Sequence, residues 1–312
     1  MDSFFVSLNA VMPLVIMACI GYFIRWKRWL SEKSFNEVNR LCFKLFLPAL
    51  LFYNSYMSAT AIGEHAKVVL YGVVSIMILF VIVSFLVPFF VKKTERRGVM
   101  IQGITRGNFV LLGIPVATVI CGEGNIGSAA IAAAFVVPLI NFLSVVTLTA
   151  HSSEKKDLKQ IFYNVIKNPL ILSSFAGLAM MLLNIQLPTF LLSTIRDIGK
   201  VATPLSVIVL GGSLAIEQTV KNKTALIWSC IGKLIIMPLA TIPLAIFLGF
   251  TGTSLVTIMV IFAAPTAINS FIMAQQMGGD GELAGEIVIC TTIGSAFTMF
   301  IWIFVLSYLG FI

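Results

Sequence analysis

The sequence predicts an all-α integral membrane protein with ten transmembrane helices in two inverted five-helix repeats. Of its 312 residues, 59% are hydrophobic and only 11% are charged, and the mean hydropathy is +1.02. A soluble fold could not cover so much apolar surface. Apolar segments of about twenty residues, long enough to cross the hydrocarbon core of a bilayer, recur along the whole chain. The predicted spans cover residues 3–24, 35–56, 68–91, 103–121, 126–150, 163–184, 195–216, 224–249, 253–276 and 283–309.

The two halves of the chain also resemble each other. At an offset of 156 residues, half of the 312-residue chain, several marked residues fall on identical ones. The clearest match is a run with four-residue spacing, Arg40-Lys44-Pro48 against Arg196-Lys200-Pro204. Internal repeats in a hydrophobic chain are typical of transporters, and five spans in each repeat make the two repeats inverted in the membrane. The predicted parts are a first repeat at 1–150, a short cytoplasmic linker at 151–162 and a second repeat at 163–312.

The distribution of basic residues predicts the orientation of the chain. Of the 21 Lys and Arg residues, 14 lie in or beside the odd-numbered connections between spans. Because cytoplasmic loops are enriched in Lys and Arg, these connections are predicted to be cytoplasmic and both termini to face outward. The net charge of +8 is therefore interpreted as a topology signal and not as a nucleic-acid-binding surface. We expect a multi-pass protein of the plasma (inner) membrane.

The fourth and ninth spans contain helix-breaking residues near their middle. Proline removes a backbone donor and clashes with the preceding turn, while Asn and Gly supply polar and flexible neighbours. A break at membrane depth is tolerated where it lines a polar cavity or is buried in protein. Inverted symmetry places the two breaks opposite each other. The second half-helices, starting near Pro115 and Pro265, would then direct their positive N-terminal ends at one position that favours an anion. The alternative is a pair of ordinary packing kinks.

The predicted substrate-binding residues lie at or beside these two breaks. They are Arg106, Asn108, Gly113, Pro115, Pro265, Asn269 and Ser270. The side chain of Arg106 is interpreted in one of two ways. It attracts or clamps a carboxylate, or it extends its side chain to the nearby cytoplasmic surface.

The ionisable residues within the spans favour anion transport over cation transport. None of the 13 carboxylates is clearly in the middle of a span. The charged residues expected inside the membrane are all cationic: Lys44, Arg106, Lys200 and Lys233. Since charges at membrane depth are costly, such residues are usually functional. Lys233 is expected to have a structural partner or to face a cavity, with substrate contact as the alternative.

The residue types argue against an enzyme and against a bound metal or cofactor. His65 and His151 are both predicted in loops, and no Ser/His/Asp set, Gly-rich phosphate loop or HExxH motif is present. The five cysteines lack CxxC spacing, so packing roles are expected rather than disulfides or metal sites. We therefore predict no catalytic residues, no metal and no cofactor.

Several segments resemble one transporter family. Asn108 through Pro115 reads N-F-V-L-L-G-I-P, and this is similar to the N-x-x-x-x-G-[IL]-P element of the auxin efflux carrier family, the PIN-like transporters. Further similar segments are Leu47–Phe52, Asn168–Ile171, Thr203–Leu205 leading to Gly211–Leu214, and Ala264-Pro265 to Ala274. The resemblance covers essentially the whole chain, in order.

This resemblance implies an architecture and a mode of action. Spans one, two, six and seven would form a scaffold, and spans three to five and eight to ten a transport domain. The crossed fourth and ninth helices would hold the substrate, and the transport domain would move by an elevator mechanism. The resemblance also implies a homodimer that exports or exchanges organic anions.

Two departures from the plant members indicate a microbial-type carrier. The connection in mid-chain is short, and Asn269-Ser270 stands where plant members tend to have proline near Ser270, with Pro265 coming earlier. Microbial relatives suggest small carboxylates such as malate, malonate or oxalate in preference to auxin-like acids. The expected partners are this organic anion, the lipid bilayer and a second copy of the chain.

The predicted function is therefore secondary transport of small organic anions by alternating access. The alternative is a sodium- or proton-coupled anion symporter with a fold like that of bile-acid carriers. The two differ in whether transport needs an ion gradient. Without a carboxylate well inside a span, we expect transport to follow the substrate gradient, exchange or the membrane potential.

Overall fold

The computed structural model describes residues 2–57, 65–122, 125, 127–152, 163, 166–213 and 223–312. Over these residues the regular structure is helical, apart from one isolated pair of bridged residues. The prediction of an all-α protein is thereby confirmed. Most of the predicted linker at 151–162 lies outside the described residues.

In the described part of the first half there are seven α-helices. They are α1 (Asp2–Trp26), α2 (Glu32–Leu41), α3 (Leu47–Tyr56), α4 (Ala66–Phe90), α5 (Thr94–Thr105), α6 (Ile114–Cys121) and α7 (Gly127–Ala150). A π-helical turn at Cys42–Phe46 joins α2 to α3, and another at Phe109–Gly113 leads into α6. Ser31 begins the α2 segment, since its hydroxyl accepts a hydrogen bond from the Ser34 N–H at 3.1 Å.

Among the described residues, the second half has the same kinds of elements. They are α8 (Pro169–Leu182), α9 (Thr189–Ser213), α10 (Lys223–Ile231), α11 (Met237–Phe247), α12 (Gly252–Ala263), α13 (Asn269–Gln276) and α14 (Gly281–Tyr308). A π-helical turn at Gly232–Ile236 joins α10 to α11. The side chains of Asn168 and Asp280 cap α8 and α14 by accepting hydrogen bonds from backbone N–H groups.

Four helical segments in the described part of the chain are long and apolar enough to cross a membrane. They are Ala66–Phe90, Gly127–Ala150, Lys223–Phe247 and Gly281–Tyr308. Many large side chains of α4 face outward, among them Leu70 and Phe85, and Phe89 is 74% exposed. Because a water-soluble surface rarely presents such a continuous apolar face, we interpret the outer face of α4 as a lipid-facing surface.

Each π-helical turn is followed by proline at the second residue of the next α-helix. The three prolines are Pro48, Pro115 and Pro238. Proline has no N–H to donate, and its ring clashes with the carbonyl four residues earlier. The chain accommodates the ring by widening one turn, so that the N–H of the residue before each proline donates to a carbonyl five residues earlier. These prolines therefore widen a turn without breaking the helix.

The fourth and ninth predicted spans are both interrupted, the ninth at Pro265 as expected and the fourth ahead of Pro115. The fourth span starts at Thr94 rather than at 103, is interrupted after Thr105, and resumes helical structure at Phe109. The α-helix of its second half begins at Ile114, near Pro115 as expected, but a π-helical turn at Phe109–Gly113 precedes it, so the interruption itself lies at 106–108. In the ninth span α12 ends at Ala263 and α13 begins at Asn269.

Two helix pairs pack with their backbones in contact. Helix α1 lies along α9 and α3 lies along α8. A Cβ atom on Gly21 would lie 1.9 Å from the Ile208 carbonyl oxygen, and one on Gly177 would lie 2.4 Å from the Phe52 carbonyl oxygen. Any larger residue at either glycine would force the helices apart. The interrupted segments lie instead among α4, α5, α7 and α10 to α14, which pack on one another.

Candidate functional site

The two interruptions meet and pair through their backbones. Gly107 and Thr266 form an isolated antiparallel bridge. The Asn108 N–H donates to the Pro265 carbonyl at 2.7 Å, and the Ala267 N–H donates to the Arg106 carbonyl at 3.1 Å. Backbone groups released by a broken helix cannot remain unpaired inside a membrane. The crossing is therefore stabilised because each interruption supplies the partners that the other lacks.

Side chains complete the backbone pairing at this crossing. The Thr266 hydroxyl donates to the Gly103 carbonyl at 2.6 Å, and the Thr266 N–H donates to the Thr291 hydroxyl at 3.2 Å. Only glycine fits at position 107 without a steric clash, because a Cβ on Gly107 would lie 2.9 Å from the Ile261 carbonyl oxygen. The crossing brings the positive N-terminal ends of the Phe109–Gly113 turn and of α13 close together.

A cavity of about 150 Å³ lies beside the crossing. Its lining residues are Leu50, Leu51, Asn54, Arg106, Gly107, Asn108, Phe109, Val110, Val137, Ile140, Asn141, Ala267 and Asn269. They come from α3, α7 and both interruptions. The polar lining consists of one guanidinium and four amides, with no carboxylate. An apolar wall with a few convergent polar groups is typical of a binding site for a small molecule.

Arg106 provides the positive charge of this cavity. Its side chain is only 4% exposed, and its Nη2 donates to the Asn141 Oδ1 at 2.8 Å. Its Nη1 contacts the Met273 sulfur. Within the described residues no carboxylate forms an ion pair with it. Burying a cation without a counter-charge is costly. An anion in the cavity would supply the missing counter-charge.

The interpretation that Arg106 extends to the cytoplasmic surface is wrong. It follows directly on α5, a helix of 12 residues that begins at Thr94. At 1.5 Å per residue, α5 places Arg106 roughly 18 Å along the span. The span predicted from the sequence begins at residue 103. Arg106 is therefore expected from the sequence to lie closer to the membrane surface than the structure places it.

Several amide and hydroxyl groups near Arg106 lack protein hydrogen-bond partners. In the described part of the chain these atoms are Asn108 Nδ2, Asn141 Nδ2, Asn269 Oδ1 and Ser270 Oγ. Buried polar groups are normally hydrogen-bonded, so each unsatisfied one calls for a ligand or water. The amides of Asn108 and Asn141 are donors, which suits them to a carboxylate.

The structure brings together three of the seven predicted substrate-binding residues at the cavity, namely Arg106, Asn108 and Asn269. Pro265 lies in the backbone bridge, and Ser270 is buried on α13 outside the cavity lining. Gly113 packs against Val260. Pro115 lies within α6, exposed and outside the cavity lining.

Two cavity residues, Asn54 and Asn141, were not predicted from the sequence. Both lie in apolar segments, Asn54 near the end of α3 and Asn141 in the middle of α7. A lone asparagine inside an apolar span is a signal of the same kind as an ionisable residue there, and it could have identified both.

A second cavity of about 210 Å³ continues from the first. Asn54, Val110 and Val137 line both cavities, and the second one extends to Met57 at the end of α3. At the opposite end of this segment, the beginning of α2 and the end of α13 are joined by a side-chain hydrogen bond. There the Gln275 Nε2 donates to the Asn36 Oδ1 at 3.1 Å. The cavity is thus continuous toward one face of the molecule.

Two buried charged residues lie outside the cavity. Lys233 is 0% exposed, and its Nζ lies 3.1 Å from the position of a Cβ on Gly107, behind the crossing. Its expected structural partner is not found among the described residues, where the ammonium has no hydrogen bond. Glu286 on α14 is 5% exposed, and neither of its oxygens has a hydrogen-bond partner there. Its burial was not predicted.

An all-helical membrane protein in which two interrupted helices cross beside a cationic cavity has the form of a secondary transporter. Residues 6–303 match the family described as "Membrane transport protein". The chain belongs to this family, which is the auxin efflux carrier family that its motifs resemble. It is therefore a multi-pass membrane protein of a transporter family and not of an enzyme family.

Relatives in three bacteria match nearly the whole chain. A protein from Rhizobium meliloti (strain 1021), described as a candidate malonate transporter, is 25% identical over 303 residues, covering 93% of this chain and 92% of the relative. The uncharacterized transporter YfdV of Escherichia coli (strain K12) is 21% identical over 303 residues, covering 95% and 96%. YfdV of Shigella flexneri is similar to the same degree.

Proposed function

We propose that this chain is a secondary transporter that exports or exchanges small organic anions by alternating access. The observation that carries the proposal is the buried Arg106 guanidinium, which has no carboxylate partner in the described residues and faces a cavity lined by amides. A carboxylate that enters the cavity would pair with the guanidinium and accept hydrogen bonds from Asn108 and Asn141.

The size of the cavity supports a small substrate. Its volume of about 150 Å³ equals the space of roughly five water molecules. This accommodates a short mono- or dicarboxylate such as malonate, malate or oxalate better than a bulky aromatic acid. The relative described as a candidate malonate transporter supports the same class of substrate.

We propose that the helices form ten spans in two inverted repeats. Shifting the first half by 156 residues brings α4 close to the α10–α11 segment, and α7 close to α14. The same shift places Gly21 on Gly177, and both glycines lie where two helices touch through their backbones. This agreement in helix bounds and in contact type supports a duplicated fold.

We propose a scaffold formed by the first, second, sixth and seventh spans and a transport domain formed by the other six. The close packing of α1 on α9 and of α3 on α8 supports a rigid scaffold. The cavity supports the boundary, because α3 lines one side of it and the crossing lines the other. An elevator movement of the crossing along α3 would carry the anion between the two sides of the membrane.

The side toward which the cavity extends supports this proposed movement. With both termini outside, the end of α3 at Met57 lies on the outer side and Asn36 lies on the cytoplasmic side. The continuous cavity then opens outward, while the Asn36–Gln275 hydrogen bond closes the cytoplasmic side. The proposed localisation is the plasma (inner) membrane, and the proposed assembly is a homodimer. Reporters fused to both termini should be found outside, and one inserted at 155–159 should be found inside.

The driving force follows from the charge of the substrate. Moving one charge across 100 mV is worth about 2.3 kcal/mol, or nearly fifty-fold accumulation. An inside-negative potential drives an anion outward, so the proposed direction is export, with exchange as the other mode. The second candidate function is proton-coupled symport, favoured by Glu286. Its carboxyl is buried in a candidate span and has no hydrogen-bond partner among the described residues, and carboxyls in such positions often belong to proton pathways of transporters.

Proteoliposomes with separately imposed gradients test both candidates. Labelled malonate should move with the membrane potential or in exchange for internal malonate, with no acceleration by a sodium or proton gradient at zero potential. The Glu286→Gln variant should then transport like the unmodified protein. If a proton gradient alone drives uptake and Glu286→Gln abolishes that response, the symporter is the correct function.

A further inference from the structure

A third cavity, separate from the substrate cavity, lies where α4 ends, α5 begins and α10 begins. Its volume is about 250 Å³, and Lys92, Lys93, Arg96 and Thr224 are among its lining residues. In the proposed topology this junction lies at the cytoplasmic surface of the membrane. We infer that this cavity binds the headgroup of an anionic phospholipid from the cytoplasmic leaflet. The inference does not depend on which solute is transported.

The charge of this cavity is strongly positive. Three of its lining residues are basic and none is acidic. Arg96 is partly neutralised, because its Nε forms an ion pair with the Asp280 Oδ2 at 2.9 Å. Lys92 and Lys93 are exposed, and no ion pair is found for them within the described residues. The two lysine ammonium groups therefore remain to attract a phosphate.

The backbone adds to this attraction and holds the lysines in place. Helix α5 begins at Thr94, and its N-cap residue Lys93 makes no side-chain capping bond. The first N–H groups of a helix have no partner within that helix, and its N-terminal end is positive. The Arg97 Nε donates to the Val91 carbonyl at 2.8 Å, which fixes the short connection that carries both lysines. Lysine side chains and backbone donors thus converge on one site.

The surface below the cavity is suited to acyl chains. Phe90 lines the cavity and packs on Trp228 with ring centroids 5.1 Å apart. Further along α4, Phe85 and Phe89 are largely exposed. Aromatic residues are favoured at the level of the headgroups, and basic pockets between helices on the cytoplasmic side bind anionic headgroups. A basic cavity next to an exposed aromatic face complements both the headgroup and the acyl chains of an anionic lipid. A free phosphate would contact the basic cavity alone.

Fluorescence quenching by brominated lipids measures this binding, because Trp228 packs on Phe90, which lines the cavity. A variant that retains Trp228 alone is made by the substitutions Trp26→Phe, Trp29→Phe and Trp302→Phe. It is reconstituted in phosphatidylcholine vesicles that contain increasing fractions of brominated phosphatidylglycerol or brominated phosphatidylcholine. We expect half-maximal quenching at a roughly 25-fold lower fraction of the anionic lipid, since each of the two lysines near the membrane surface contributes about fivefold.

A matched pair of variants separates the cavity from general surface charge. Lys92→Gln with Lys93→Gln should reduce the preference for phosphatidylglycerol to about twofold or less. Lys27→Gln with Lys33→Gln removes the same charge from the same predicted side of the membrane and should leave the preference unchanged. Equal quenching by the two brominated lipids, or an equal loss of preference in both double variants, would overturn the inference.

A soluble competitor distinguishes a lipid from a free phosphate. Glycerol phosphate at millimolar concentration carries the headgroup chemistry without acyl chains. It should leave the quenching by brominated phosphatidylglycerol unchanged, because it lacks the contacts with Phe90 and Trp228. Complete displacement by glycerol phosphate would identify the cavity as a site for a soluble phosphate and would contradict the lipid assignment.

Discussion

The interruption at 106–108 and the interruption at 264–268 contribute different chemistry to one crossing. The first carries a charge and an amide, Arg106 and Asn108, both of which line the cavity. The second carries Pro265 and Thr266, which hold the crossing together through backbone and hydroxyl hydrogen bonds. The first interruption therefore supplies the side chains proposed to bind the substrate (recognition), and the second stabilises the crossing (support).

This division has a physical reason. A cation in the second interruption would be repelled by Arg106, and by Lys233 behind the crossing, inside a medium of low dielectric constant. A neutral second interruption instead fixes the position of Arg106 without adding a further charge. Substitutions in the first interruption should therefore affect binding, while those in the second should affect stability.

The largest effect is expected for Arg106→Gln. This change removes the charge that pairs with the substrate carboxylate but retains a polar side chain of similar length. Loss of a charge-assisted bidentate interaction should weaken malonate affinity by about 100-fold. Isothermal titration with purified protein measures the affinity. Arg106→Lys, which keeps the charge but not the fork geometry, should retain part of it, and wild-type affinity in a folded Arg106→Gln protein would remove Arg106 from the site.

A smaller loss of affinity is expected for Asn108→Leu. Its Nδ2 has no partner within the described residues and faces the cavity, so the change should cost about 1–3 kcal/mol, or roughly 5- to 150-fold in affinity. The control variant is Ser270→Ala on α13, directly after the second interruption; this residue lies outside the cavity lining, and the change should alter affinity less than twofold. If both variants bind alike while remaining folded, the division between recognition and support does not hold.

The free energy of unfolding tests the stabilising role of the second interruption. Thr266→Val removes the hydroxyl that donates to the Gly103 carbonyl and leaves that carbonyl without its partner. This should lower the free energy of unfolding by about 1–3 kcal/mol and reduce Tm, without changing the affinity of the protein that remains folded. Thr298→Val, at a half-buried position on α14 away from the crossing, serves as the control. An unchanged Tm for Thr266→Val would contradict the supporting role.

The smallest effect is expected at the side that is cytoplasmic in the proposed topology. Gln275→Ala removes the hydrogen bond to Asn36, which should shift the balance toward the inward-open state by about 1 kcal/mol, or roughly fivefold. Labelling of a cysteine introduced at Val137 in the outward cavity measures this shift. The rate from the outer side should fall in Gln275→Ala. An equal or faster rate would show that this contact does not close the cytoplasmic side.

The interruption of the fourth span lies at other residues than the sequence predicted, and the cause is physical. Pro115 resembles a helix breaker in the sequence, yet the helix accommodates it by a π-helical turn. Glycine and asparagine at Gly107 and Asn108 mark the real interruption, and these are weaker signals. Whether a proline bends, widens or breaks a helix depends on what the freed carbonyl can contact, and that partner is distant in the sequence.

The sequence by itself determined the apolar, membrane-spanning composition and the two interrupted spans, and it predicted the duplication that the proposed fold contains. These properties depend on residue types and on local spacing, which are visible along one segment at a time. Only the tertiary structure decided that Asn54 and Asn141 join Arg106, that Gly113 and Pro115 lie outside the cavity, and that Glu286 is buried. These outcomes depend on which helix faces pack together, and packing joins residues that are far apart in the chain.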